Sequence, residues 1–173
     1  MNVRHSHSQP NWETPQEDIE YARKALGGKI DLDPFSCKTG NARVRARRYY
    51  TEEDDGFEQP WIGPNVFLNH PGGTTKKSWK KLIEEIKKGF VEKAIWIGFS
   101  IEQVSLLSDC EIPPTDFSIV FLRKRIHFID PDDLTRPSRP GHANFCLGVG
   151  IERDVFEEAY KGLGSFTHGR LVD

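Results

Sequence analysis

The chain has 173 residues, of which 36% are hydrophobic and 29% are charged, and its formal net charge is −2 at pH 7. This length and composition predict a globular protein with a substantial core and exclude a disordered or fibrous chain. The nearly neutral charge also excludes a strongly basic nucleic-acid coat protein, although it permits a local basic face.

The cysteines and the hydropathy pattern indicate a cellular compartment. Cys37, Cys110 and Cys146 are odd in number and show no paired spacing, which is typical of reduced thiols and predicts neither a disulfide framework nor a zinc site. No apolar stretch approaches membrane-spanning length, and the polar N-terminus has no signal-peptide segment. We therefore expect a cytoplasmic protein with no membrane or metal partner.

The first predicted helix begins at Thr14, after a flexible lead-in over residues 1–11. Thr14 suits the N-cap, Pro15 suits the first helical position, and Glu17 completes a capping box. Gly27-Gly28 ends the helix. Residues 12–173 are expected to form a single domain.

The remaining elements follow from the apolar patterns. In chain order they are a strand at 30–33, a loop with one helical turn at 35–59, a strand at 65–68, a helix ending at Gly89, a strand at 94–99, a helix at 101–107 opened by a second capping box, strands at 118–122 and 125–129, a long loop at 131–143, a strand at 144–149 and a helix near 155–160. This alternation predicts an α/β fold with a mostly parallel sheet and antiparallel pairing at its end.

The turn Asn69-His70-Pro71-Gly72-Gly73 directly follows the apolar run that ends the second strand. In open α/β sheets this carboxyl edge is where ligands bind. The turn offers hydrogen-bond acceptors and no strong base, which suits a planar amino group that must become nucleophilic. An Asn before a Pro-Gly turn is also a common structural device, and the turn alone leaves both explanations open.

A set of short motifs accompanies this turn along most of the chain from Trp12 onward. They are Trp12-Glu13-Thr14-Pro15, Asp31-Leu32-Asp33-Pro34, Tyr50-Thr51-Glu52-Glu53-Asp54-Asp55-Gly56-Phe57, Trp61, Val66-Phe67-Leu68-Asn69-His70-Pro71 and, more weakly, Arg125-Ile126-His127-Phe128. In this order they resemble the phage-type DNA N-6-adenine-methyltransferase (Dam-like) family. The resemblance implies a compact, Rossmann-like S-adenosylmethionine-dependent methyltransferase fold, with helices on both faces of the sheet, encoded by a phage or prophage.

The resemblance also implies an activity, namely site-specific DNA methylation at the exocyclic amino group of adenine, after the base has rotated out of the helix. The side-chain oxygen of Asn69 and the carbonyl of His70 would accept the hydrogens of the amine, while Pro71 limits backbone freedom.

Cofactor-binding residues are implied in the same way. The helix N-terminus at Thr14-Pro15 would hold the carboxylate of S-adenosylmethionine, a role compatible with capping. Asp33, with Pro34 beside it, would face the methionine or ribose end. Asp55 would contact the adenine amino group of the cofactor, with Phe57 packed on the ring.

The chain departs from the family at the turn, where the usual pattern is Asn or Asp, Pro, Pro and an aromatic residue that stacks on the base. His70 stands at the first Pro and Gly72 at the aromatic position. Phe99 or the His70 ring would have to supply the stacking.

Several arginines are candidates for contact with DNA. Those at 43–48, together with Arg136 and Arg139 in the long loop, are predicted to bind phosphates. Arg125 faces the cleft or forms a surface ion pair.

Two alternatives remain open. One is a catalytically impaired cofactor- or DNA-binding phage accessory protein with the same fold, and the other is methyl transfer to a protein glutamine amide. A nicotinamide-binding site at Gly148-Val149-Gly150 is disfavoured, because Arg153 stands at the third glycine position.

Overall fold

The computed structural model describes residues 12–105, 115–130 and 143–169. In that part the α-helices are α1 (Gln16–Ala25), α2 (Lys38–Val44), α3 (Thr75–Lys87) and α4 (Arg153–Ala159), with a 3₁₀ helix at Ile101–Ser105. The strands are β1 (Leu32–Asp33), β2 (Arg48–Tyr49), β3 (Asn65–Leu68), β4 (Lys93–Gly98), β5 (Phe117–Leu122), β6 (Phe145–Val149) and β7 (Gly164–Gly169). The lead-in expected at 1–11 lies outside the described residues.

The strands form one mixed sheet in the order β2-β1-β3-β4-β6-β5-β7. The first four strands are parallel, whereas β6 is antiparallel to β4 and to β5, and β7 is antiparallel to β5. The predicted α/β class and the antiparallel pairing at the end of the sheet are confirmed. The sheet is parallel only in its first half, because β6 returns between β4 and β5.

Two apolar layers cover the sheet, one on each face. Successive side chains of a strand point to opposite faces, so Phe67 packs toward α1 and α4 while its neighbours Val66 and Leu68 pack toward α3. The same alternation continues in β4, where Ile95 joins the first layer and Trp96 the second. Helices therefore lie on both faces, and β3 and β4 are buried between them.

Helix α1 differs from its prediction at the start. It begins at Gln16, with Pro15 rather than Thr14 at the N-cap and no side-chain capping bond. The residue before Thr14 explains the difference, because the backbone of Glu13 pairs with Ile129 through two hydrogen bonds of 2.8 Å. This pairing holds the chain extended until Pro15. The predicted end is confirmed, since Gly27 and Gly28 both have positive φ angles.

Three regions differ from the sequence prediction in secondary structure. The expected loop at 35–59 contains α2 and β2; α2 buries only one residue, so it leaves little apolar pattern. Residues 125–129 form a single bridge rather than a strand, although Ile126 and Phe128 are buried as the alternation predicts. Strand β7 has no counterpart in the sequence prediction, yet it pairs with β5 along its whole length.

The second capping box is only partly realised. Residues 101–105 form a 3₁₀ helix instead of the predicted helix at 101–107. The Gln103 side chain accepts the backbone N–H of Phe99 at 2.7 Å, one residue earlier than a capping box requires. Most of the predicted loop at 131–143 lies outside the described residues.

In the ranges that the structure covers, no helix has the length and apolar character needed to cross a membrane. Cys37 and Cys146 are free thiols, and Cys110 lies outside the described residues.

A substitution at Phe156 tests how α4 packs against the sheet. Its side chain is fully buried against Gly148, where an added Cβ would lie 2.6 Å from the ring. Phe156→Ala should therefore lower the free energy of unfolding by about 3–5 kcal/mol. The matched change at Val155, which is 45% exposed, should cost less than about 0.5 kcal/mol. Urea unfolding of both variants checks this, and equal losses would contradict the packing.

Candidate active site

The turn between β3 and α3 lies at the carboxyl edge of the parallel half of the sheet. The carbonyl of Pro71 accepts two hydrogen bonds from Thr74, one from its backbone N–H at 3.2 Å and one from its hydroxyl at 2.7 Å. Gly73 takes a positive φ of 77° inside this turn, a conformation that favours glycine. The backbone that carries Asn69 and His70 is therefore fixed on its C-terminal side.

The Asn69 side chain reaches across the edge to the segment before α1. Its amide Nδ2 donates a hydrogen bond to the Thr14 hydroxyl oxygen at 3.2 Å. No donor among residues 12–105, 115–130 and 143–169 binds the amide oxygen Oδ1. The Asn69 side chain is thus tied to Thr14 through its nitrogen.

Thr14 is itself firmly placed. The Glu13 carboxylate, which is buried, accepts a hydrogen bond from Arg43 Nε at 2.7 Å, and the Glu13 backbone pairs with Ile129. Sequence reasoning missed this anchor, for which the only signal is the presence of Glu13 in the first matching motif. One arginine of the basic run is consequently used inside the protein rather than on a phosphate.

The N-terminus of α1 is less open to an anion than the sequence suggests. Its first turn already contains the carboxylates of Glu17 and Asp18, which interact favourably with the positive end of the helix dipole. These two groups oppose a cofactor carboxylate in the same place. The predicted role of Thr14-Pro15 there stays a prediction, with the Thr14 hydroxyl directed to Asn69 instead.

The His70 ring is packed inside the protein. It is 2% exposed and contacts the rings of Trp96 and Phe99 at centroid distances of 4.7 and 4.8 Å. Burial lowers the pKa of the ring, so it stays neutral. This buried ring does not lie open for stacking on a base, which leaves the backbone carbonyl as the predicted contribution of His70.

The protonation state of His70 follows from its hydrogen bond. Nδ1 lies 3.0 Å from the carbonyl oxygen of Pro71, and a carbonyl oxygen can only accept, so Nδ1 carries the proton. Nε2 is then an unprotonated acceptor, and it is buried with no partner in the part of the chain that is described.

Phe99 remains the candidate for base stacking. It is half-buried at the end of β4 and lies 5.9 Å from the ring of Phe128. The Gln103 side chain fixes the backbone of Phe99. Its oxygen accepts a hydrogen bond from the Phe99 backbone N–H, and its nitrogen donates to the Thr75 hydroxyl at 2.8 Å. Because β3 and β4 are parallel, Phe99 lies at the same edge of the sheet as the Asn69 turn.

Asp33 ends β1 next to β3. Leu32 is in register with Val66, so Asp33 stands level with Phe67 and points to the same face as Asn69. Its carboxylate accepts the backbone N–H of Phe35 at 3.2 Å. Burial raises the pKa of Asp33 to about 7, even though this bond and one from Ser36 lower it.

The loop with Asp55 and Phe57 leans directly on the end of β1. An added Cβ at Gly56 would lie 1.9 Å from the carbonyl oxygen of Pro34, so only glycine permits this approach. Asp55 is exposed, has a positive φ of 49° and accepts the Phe57 backbone N–H at 3.0 Å. The structure thus brings together Asp33, Pro34, Asp55 and Phe57.

Phe57 lies between two neighbours. Its ring centroid is 4.6 Å from that of Phe35, and the Lys77 ammonium lies 4.0 Å above the ring. A second ring packing on this face would displace the lysine side chain, which is long and flexible.

The predicted DNA-contacting arginines fall into separate groups. Arg125 is exposed, and no ion pair joins it to another described residue. Arg136 and Arg139 lie outside the described residues.

Within the described part of the chain, no group of His, Cys, Asp and Glu side chains is suited to a metal ion.

The raised pKa of Asp33 predicts that the stability of the protein depends on pH. Its pKa is about 7 in the folded protein and 3.8 ordinarily, so between these values the folded state binds more protons than the unfolded chain. Stability from this group is therefore present below pH 4 and lost as the pH rises to 7. Asp33→Asn should remove that loss, which amounts to roughly 4 kcal/mol at most.

Urea unfolding of both proteins between pH 4.5 and 8 measures the effect. The wild type should lose stability relative to the Asp33→Asn variant as the pH rises. Parallel curves of stability against pH would show that folding does not shift the pKa of Asp33.

Searches against protein-family models, curated proteins and solved structures found no match.

Proposed function

We propose that this protein transfers a methyl group from S-adenosylmethionine to the exocyclic amino group of adenine in DNA. It would be a site-specific DNA adenine methyltransferase of the phage or prophage type, with a compact Rossmann-like fold. The observation that carries it is the Asn69 amide at the carboxyl edge of the sheet, which is bound through its nitrogen to Thr14 and has no described donor on its oxygen. The ordered motifs and the mixed α/β sheet add support.

Asn69 and His70 would act on the amine as hydrogen-bond acceptors. The lone pair of the adenine amino nitrogen is delocalised into the ring, which makes that nitrogen a poor nucleophile. Acceptance of its two hydrogens by Asn69 Oδ1 and the His70 carbonyl favours a more tetrahedral nitrogen. The contribution is preorganised electrostatics and positioning, because neither oxygen is a strong base.

The residues around β1 fit the proposed cofactor. When bound, S-adenosylmethionine supplies a methyl group activated by a sulfonium centre. Burial disfavours the charged form of Asp33, so a cationic ammonium group beside it would be stabilised and would restore the carboxylate. Asp55 and Phe57 offer a carboxylate and a ring on the adjacent loop, and this loop lies against Pro34.

Phosphate contacts are assigned to arginines that the fold leaves exposed. Arg47 and Arg48 are exposed, whereas Arg43 is paired with Glu13 and Arg45 with Glu20. Phosphate contacts of this kind position the protein on DNA without reading its sequence.

One observation favours the alternative of an impaired cofactor- or DNA-binding protein. Gly72 is exposed, and no described atom lies within 4 Å of a Cβ placed on it. The aromatic ring that the family carries at this position is therefore missing, and the His70 ring is packed inside.

Asn69→Ala tests the catalytic proposal. Removal of the acceptor should lower transfer of a radiolabelled methyl group to unmethylated DNA by about 100-fold or more, with methyladenine as the wild-type product. Asn41→Ala is the matched control, because among the described residues this amide binds the backbone of Ala46, and the variant should retain transfer. Equal incorporation by wild type and Asn69→Ala would remove Asn69 from the mechanism.

Calorimetry with S-adenosylmethionine, combined with the label-transfer assay, separates the candidate functions. Binding of the cofactor without label transfer to any DNA would select the impaired binding protein. Label that appears in protein and not in DNA would favour a glutamine acceptor.

Gly72→Tyr tests the missing ring. Gly72 lacks the positive φ of its neighbour Gly73, so a side chain is tolerated there and points into open space. Stacking on the base should raise DNA affinity about tenfold, measured by fluorescence anisotropy on unmethylated DNA. Gly73→Tyr is the control, since strain at a φ of 77° should cancel any gain. An unchanged affinity for Gly72→Tyr would show that the base does not approach this position.

A further inference from the structure

We infer that Thr14 is a positioning residue, which fixes the Asn69 amide so that its oxygen faces the substrate amine. The inference rests on the function proposed above and concerns a contact between residues 55 positions apart. The N-cap of α1 is Pro15, and the helix has no side-chain capping bond. Within the described residues, the Thr14 hydroxyl oxygen accepts a hydrogen bond from Asn69 Nδ2 at 3.2 Å.

The orientation of this amide matters because its two ends are chemically opposite. The NH₂ end is a donor and the oxygen is an acceptor. An amine substrate offers hydrogens, so an amide turned by 180° would set donor against donor. In the structure Nδ2 donates to the Thr14 hydroxyl oxygen, so the carbonyl oxygen is the end of the amide that Thr14 does not use.

Thr14 suits this role because its own position is over-determined. It is buried, and the preceding Glu13 is tied to Ile129 through its backbone and to Arg43 through its carboxylate. The following Pro15 has a restricted φ of −58°. The Asn69 end is equally fixed by the turn at Pro71. Two rigid parts of the fold therefore meet at this hydrogen bond.

The same geometry argues against a direct grip on the cofactor by this hydroxyl. It is buried and directed to Asn69, and the first turn of α1 is already acidic. Loss of the hydroxyl should consequently change the rate of methyl transfer and leave cofactor affinity unchanged.

The test compares Thr14→Val and Thr14→Ala, which lack the hydroxyl, with Thr14→Ser, which keeps it. Since one neutral hydrogen bond is at stake, kcat should fall about fivefold to tenfold in the first two variants and recover in the third. The KM for S-adenosylmethionine should stay within about twofold of wild type on the same grounds. Urea unfolding of each variant identifies any that fails to fold.

A second readout does not need activity. The side-chain NH₂ signal of Asn69, assigned by its disappearance in Asn69→Ala, should shift in the ¹H–¹⁵N spectrum of Thr14→Val or Thr14→Ala. It should stay near its wild-type position in Thr14→Ser. An unmoved signal in the variants without the hydroxyl would overturn the inference.

The kinetic results distinguish a positioning role of Thr14 from cofactor binding and from a purely structural role. A raised KM for the cofactor with unchanged kcat would make Thr14 a cofactor ligand, and a Thr14→Ser variant as slow as Thr14→Val would indicate a structural role. Absence of methyl transfer by the wild type would instead overturn the proposed function. The amide signal would then still decide whether Thr14 orients Asn69.

Discussion

The hydrogen bond between Asn69 and Thr14 is the interaction on which the arrangement of the edge depends. It joins the end of a central strand to a segment that the chain enters before its first helix. That segment is held from two sides, by backbone pairing to Ile129 and by the ion pair of Glu13 with Arg43. A single neutral hydrogen bond contributes only about 0.5–1.5 kcal/mol to stability. Its importance here is geometric, because it ties the Asn69 side chain to the segment before α1.

Burial has opposite effects on the pKa values of two groups at this edge, for one physical reason. Asp33 and His70 both lie in surroundings that disfavour a charge, so the pKa of the acid rises and that of the imidazole falls. A low local dielectric also strengthens the hydrogen bonds of whatever binds there. A polar group placed at the edge of β1 and β3 would therefore form stronger hydrogen bonds there than it does in water.

The elements that bury continuous apolar runs are the ones best predicted from the sequence. Strands β3, β4, β5 and β6 and helix α3 lie within a residue or two of their predicted positions, because their side chains face packed layers. Strand β7 could not be predicted, since Gly-Ser-Phe-Thr-His-Gly has little apolar character and its structure comes from pairing with β5. The turn at Asn69 was recognisable from local residue types. Its contact with Thr14 was not, because only tertiary folding brings the two together.

The close approach of Gly56 to the carbonyl of Pro34 has a consequence for the distance between the 55–57 loop and the end of β1. The acid at Asp55 and the ring at Phe57 flank this glycine, so a larger residue there would push both away from Asp33 at once. The width between loop and strand is therefore governed by one missing side chain.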